Sequence, residues 1–283
     1  MDAIKLVASD AFMSCRTSVE SFRKLIELAR TGMGLKPVLF KDYANDPQQR
    51  NIVLVRHDVD HSLDNAMMLG AIEADMGVKA TYFMLHPGDY DAQENYYGSI
   101  IKGRIVHKPD FFSRCRELVA MGHEVAIHND FFQLSFLTKR PIIDLVREEM
   151  AAFQEAGIPV AGTASHGSTF VREIEATNYE IFTECVSGGR ESGRKVKKGR
   201  WTGKTHGFSM KDVGLAYEAY FLPRNMDVSD TGSALSIHSK AAKHVNFNVT
   251  APEHYDTIQA AAAGIDDIRL VMLIHPCWWA ARP

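Results

Sequence analysis

Apolar and polar positions along the 283-residue chain fall into two alternating periods. Residues 17–31 set Val19, Phe22, Leu25, Ile26 and Leu28 at near-helical spacing, with Thr17 or Ser18 as cap and Gly32 as stop. A short strand-like run, Pro37 to Phe40, and a polar turn precede the apolar strand Ile52 to Val55. Ser62 or Asp64 then caps a helix through Met67, Met68, Ala71, Ile72 and Met76, ended by Gly77. The alternation continues with a strand at Ala80 to Leu85, a helix at Phe111 to Ala120 and a strand at His123 to His128. A long helix at Thr138 to Ala156 and a strand at Pro159 to Ala164 follow. The last strong strand is Leu270 to Ile274. Strands alternating with helices predict an α/β fold with a parallel sheet, and such sheets gather ligands at the carboxyl ends of their strands.

Composition changes this picture little. With 46% apolar and 24% charged residues the chain reads as an ordinary globule, and no repeat or linker divides residues 1–283 into separate domains. A net charge of −3 supplies no basic field for nucleic acid. Cys15, Cys115, Cys185 and Cys277 are scattered without a CxxC pair, which fits reduced thiols. No stretch approaches the ~18 apolar residues of a membrane span. The amino terminus has no basic segment followed by an apolar core, so a cytoplasmic protein is expected. The basic, Gly-rich stretch 187–207 reads as a surface loop or insertion, with an anion clamp as the sharper reading.

Chemistry collects at the strand ends. Asp58 and Asp60 follow the first long strand, His128 and Asp130 a later one, His166 the next and His275 the last. Two carboxylates two residues apart on a strand share a face at roughly 6–7 Å, and they repel unless a cation or shared proton offsets them. Carboxylate and imidazole ligands without thiolate suit one divalent ion, Zn²⁺ foremost, with Fe²⁺, Mn²⁺, Co²⁺ or Ni²⁺ also compatible. The residue-level alternatives are a helix-capping Asp58 or Asp60 and hydrogen-bonded core histidines at positions 128 and 275.

The order Arg56-His57-Asp58-Val59-Asp60, Ala80-Thr81-Tyr82-Phe83, Gly122-His123-Glu124-Val125 with His128, and a late strand running into His275 resembles the polysaccharide deacetylases, the family 4 carbohydrate esterases. The likeness covers residues 50–170 and, more weakly, the last strand. It implies a distorted, incomplete (β/α) barrel in which one Asp and two His hold a metal that activates water for removal of an N- or O-acetyl group from a sugar. Asp58 matches the family's catalytic base, Asp60 its metal-binding carboxylate, His128 its first metal-binding histidine and His275 its late acid. The second histidine belongs four residues after the first, where this chain has Phe132. His166, in Ala164-Ser165-His166-Gly167-Ser168, is the expected replacement ligand, with Asp130 as its rival. Arg56 and His57 flank the motif and, with Asp130 and Trp278, are the candidates for orienting groups or binding substrate. Trp278 and Trp279 offer faces for a sugar ring or close the barrel.

The implied activity is hydrolysis of an acetylated carbohydrate, either a small molecule or a nucleotide- or lipid-linked precursor of surface polysaccharide. Two rivals keep the same residues. One is a ring-opening amidohydrolase acting on a cyclic amide or imide; the other is a degenerate glycan-binding homologue, favoured by Phe132.

Overall fold

The computed structural model describes residues 18–88, 97–186, 192–231, 234–239, 245–248 and 254–279. Its strands are β1 (Lys36–Pro37), β2 (Ile52–Val59), β3 (Thr81–Leu85), β4 (Gly98–Ile101), β5 (Arg104–His107), β6 (Glu124–Asn129) and β7 (Gly162–Ser165). They continue with β8 (Lys195–Lys198), β9 (Trp201–Lys204), β10 (Tyr217–Glu218), β11 (Met226–Ser229), β12 (Ala234–Ser239), β13 (Val245–Asn248) and β14 (Arg269–Ile274). The helices are α1 (Val19–Glu27), α2 (Phe40–Asn45), α3 (Leu63–Asp75), α4 (Phe111–Ala120), α5 (Phe131–Thr138), α6 (Ile142–Glu155), α7 (Thr169–Glu173) and α8 (His254–Ala262). The main sheet runs β10-β7-β6-β3-β2-β14-β11-β12-β13, with β1 beside the start of β2. From β10 to β11 all pairs are parallel, and β12 and β13 extend the edge antiparallel. The sheet curls into a half-barrel within this mixed α/β fold.

All eight residues of β2 are buried, as expected of a strand covered on both faces. Alternation divides them. Val53, Val55 and Val59 join the apolar layer under the helices, whereas Ile52 and Leu54 face the concave side with Phe83, Ala126 and Ala164. Phe40 and Tyr217 plug that concave side, Phe40 meeting Phe83 edge-on at 5.5 Å between ring centres. Gly162 lets Tyr217 approach, because a Cβ there would lie 2.1 Å from its ring. The concave face is therefore packed with apolar side chains low in the sheet, while the same faces of β2 and β6 turn polar near their carboxyl ends, at Asp58 and His128.

Several elements differ from the sequence pattern for identifiable reasons. The expected strand at Pro37 to Phe40 shrinks to β1, because α2 begins at Phe40. Its first amides are satisfied from a distance: Phe40 N–H donates to Thr81 Oγ1 and Lys41 N–H to Glu124 Oε2. The long helix expected at Thr138 to Ala156 is α6, which starts four residues later at Ile142, and a separate helix, α5, which the pattern does not show, ends at Thr138. Lys139 takes a left-handed conformation (φ 61°) and Pro141 precedes α6, while α5 is apolar nearly all round and so shows no amphipathic period. Ser62, not Asp64, caps α3 by accepting from Asn65 N–H. The basic stretch read as a loop contains the β8–β9 hairpin; its residues 187–191 lie outside the described residues, as do Thr17 and Cys15. Cys115, Cys185 and Cys277 are free. Among the described residues no helix is long and apolar enough to cross a membrane.

Candidate metal centre

The parallel strands deliver their polar residues to one rim. Asp58 and His128 are the next-to-last residues of β2 and β6, and Asp60, Asp130, His166 and His275 directly follow β2, β6, β7 and β14. Ligand atoms of Asp60, His128 and His166 all lie within 4.8 Å of one another, so the three can hold a metal ion.

Each of the three side chains is oriented by its surroundings. His128 Nδ1 donates to the carbonyl of Ala164 at 2.9 Å, which turns Nε2 toward Asp60 Oδ1 at 3.2 Å and Asp58 Oδ2 at 3.4 Å. His166 Nδ1 donates to Asp130 Oδ2 at 3.5 Å and its Nε2 lies 3.8 Å from Asp60 Oδ2. A carboxylate or carbonyl behind an imidazole fixes the tautomer that leaves the other nitrogen free to ligate. Asp130 is itself held by Asn178 Nδ2 on Oδ1 at 2.8 Å, and its backbone N–H donates to His86 Nε2 at 2.8 Å. Burial opposes the charge of His166, but Asp130 and then Asp60 outweigh it and raise its pKa.

The fit to a cation rests on Asp60. Its Oδ1 is buried with no hydrogen-bond donor aligned on it, although His128 Nε2 is close. Burial works against ionisation of Asp60, yet His128, His166 and His275 hold its pKa below the usual carboxylate range. A buried, unsatisfied carboxylate oxygen facing two imidazoles is the donor set that a divalent ion of the zinc type completes.

Asp58 is locked by its neighbour on the same strand. Arg56 Nε donates to Oδ1 and Nη2 to Oδ2, both at 2.7 Å, in a bidentate fork. The guanidinium stacks 4.5 Å from the Tyr220 ring centre and 5.4 Å from that of Phe83. Burial penalises the Asp58 charge, but Arg56 and then His128 keep its pKa below the usual range. Beneath this pair burial pushes Glu218 up to about 7 against the pull of Arg56.

On the far side of the rim, Asp230 grips His275 twice. Its Oδ1 accepts from Nδ1 at 2.6 Å and its Oδ2 from the backbone N–H at 2.8 Å, while Trp279 Nε1 also donates to Oδ2 at 2.7 Å. His275 Nε2 is thereby directed to the centre, 3.8 Å from Asp60 Oδ2. Burial opposes protonation of His275, but Asp230, followed by Asp60 and Asp58, pushes its pKa up to about 9. Because the folded value lies above the unfolded ~6.5, this group's contribution to stability is fully present below ~6.5 and is lost as pH rises through about 9. In Asp230→Asn the His275 titration, followed by NMR, is expected to move down toward ~6.5. An unmoved midpoint would assign the shift to something other than Asp230.

Other expected site residues fall elsewhere. His57 points to the helix side of the sheet, fully buried, with Nε2 on Glu73 Oε1 at 2.7 Å and its ring stacked 4.3 Å from Tyr82. It faces away from the concave rim, a consequence of its odd register beside Asp58. Asp130 is also fully buried and supports His166 instead of facing solvent. Trp278 is half-buried and packs on the helix-side apolar cluster. Phe132, four residues after His128, is buried beside Trp201 at 6.4 Å between ring centres. Asp230, which holds His275, is not among the residues that the motifs single out. The alternation of Met226 and Val228 with Asp227 and Ser229 is the signal of a strand, and it puts Asp230 at that strand's tip.

The chain matches no family model, no curated protein and no solved structure.

Proposed function

We propose that the chain is a metal-dependent hydrolase that removes an N- or O-acetyl group from a sugar. The carbohydrate would be a small molecule or a nucleotide- or lipid-linked precursor in surface-polysaccharide synthesis. The observation that supports this most is the meeting of Asp60, His128 and His166 beside Asp58 and His275, from four strands remote in sequence. When bound, a divalent ion would polarise the acyl carbonyl and lower the pKa of water from 15.7 toward ~7.

The chain's own residues then divide the proton work. Asp58 removes the proton from water, and Arg56 keeps that carboxylate ionised and aimed. His275, protonated at neutral pH and directed by Asp230, gives its proton from Nε2 to the departing nitrogen or oxygen. One water is consumed, acetate leaves, and the amine or hydroxyl of the sugar is released. Asp130 keeps His166 in the ligating tautomer.

Phe132 is the feature that favours a glycan binder without turnover. The approach of His166 to Asp60 and His128 counters it. Elemental analysis of the purified protein, combined with acetate release from a panel of N-acetyl sugars, separates the readings. Bound metal with acetate release is expected. Metal without acetate but with opening of cyclic amides would replace the deacetylase by a ring-opening amidohydrolase, and absence of metal after Zn²⁺ loading would end the hydrolase proposal.

A further inference from the structure

The geometry points to a second binding site, away from the metal centre, that takes the diphosphate group of a small phosphorylated molecule. A cavity of about 650 Å³ opens between the end of α5, the start of α6 and the β8–β9 hairpin. Lys139, Arg140, Arg200 and Lys204 line it, and no carboxylate does. Its volume suits a nucleotide-sized ligand, since small-molecule sites run from about 300 to 1,000 Å³.

The charge around it is unbalanced. Residues 192–207 contain Arg194, Lys195, Lys197, Lys198, Arg200 and Lys204 and no Asp or Glu. Some of these cations are already engaged: Lys198 pairs with Glu173, and Arg194 donates to the Glu175 carbonyl and lies 3.9 Å from Glu180. Arg140 pairs with Glu148, with Asp144 the next carboxylate acting on it, and Lys139 sits 4.0 Å over the Phe136 ring. Among the described residues Arg200 and Lys204 have no carboxylate partner. Lys204 is moreover directly opposite Lys195 in the hairpin register. Like charges facing each other across a strand pair are destabilising, and an anion held at Lys204, which lines the cavity, reduces that cost.

The hairpin is also held rigidly enough to present these groups. Trp201 is buried among Phe132, Phe136 and Phe170, and its Nε1 donates to Ser135 Oγ at 3.2 Å. Gly203 admits the indole, because a Cβ there would meet its edge at 2.5 Å. Helix α6 adds the positive end of its dipole, since Pro141 offers no side-chain cap to its first amides. The eight residues of α5 join Asp130 at the metal centre to Lys139 at this cavity, a span of roughly 12 Å at 1.5 Å per residue.

The test is binding of pyrophosphate to the whole protein by calorimetry. Saturable binding that weakens with salt is expected, and the Arg200→Ala/Lys204→Ala double variant should bind at least about tenfold more weakly. Lys204→Glu alone gives a second reading should the double variant be unstable. A nucleoside diphosphate and a prenyl diphosphate, compared with pyrophosphate, decide which source of diphosphate the cavity favours. Asp60→Asn should bind pyrophosphate as the wild type does, so the outcome is independent of the hydrolase reading. No saturable binding, binding undiminished by the charge substitutions, or binding lost in Asp60→Asn because the metal centre was holding the anion would each overturn the site.

Discussion

Replacing Asp58 by Asn is expected to leave metal content unchanged and to cut turnover by about 10²–10⁴, the usual contribution of a positioned general base. The expectation follows from the division between the two carboxylates of β2. Asp60 has the unsatisfied oxygen that faces His128, whereas both oxygens of Asp58 are occupied by Arg56. Asn is nearly isosteric, but it presents an amide where the fork of Arg56 expects a second acceptor, so some loosening of Arg56 accompanies loss of the base. Steady-state acetate release alongside elemental analysis checks both halves. A variant that keeps full activity would remove Asp58 from the mechanism, and one that loses metal would make it a ligand.

His166→Ala carries the second large effect. Only two of the three convergent donors remain, and stoichiometric metal is expected to be lost together with activity. Asp130→Asn, which weakens the hydrogen bond behind His166 without deleting the imidazole, should reduce metal affinity by about 10–100-fold. The graded pair matters because the sequence leaves Asp130 as a rival ligand. A larger metal loss in Asp130→Asn than in His166→Ala would reverse the two roles. Phe132→His is not expected to rescue His166→Ala, since position 132 is buried beside Trp201.

The rim of the sheet was legible because its chemistry is written at strand ends. Asp-x-Asp after an apolar run, and single histidines at the tips of three further strands, define a face once the sheet is parallel. What escaped was whatever depended on neighbours distant in the chain. Phe40 starts a helix because Thr81 and Glu124 accept its first amides, and no local pattern contains that information. His57 looked equivalent to Asp58, yet a shift of one position along a pleated strand sends it to the opposite side, onto Glu73. Asp230 was hidden for a different reason: β11 is only four residues long, so its alternation is brief, and its partner His275 is 45 positions away.

The pairing of β2 with β14 also shapes how the molecule is made. Ile268 N–H bonds to Asn51 Oδ1 across 217 positions, and β14 separates β2 from β11 in the middle of the sheet. A ribosome-bound chain that has released β2, β3, β6 and β7 therefore carries an open apolar edge until the last strand arrives. Closing so long a loop is slow and leaves intermediates prone to association. His275 travels with that strand, so its place beside Asp60 is filled only when the sheet is sealed.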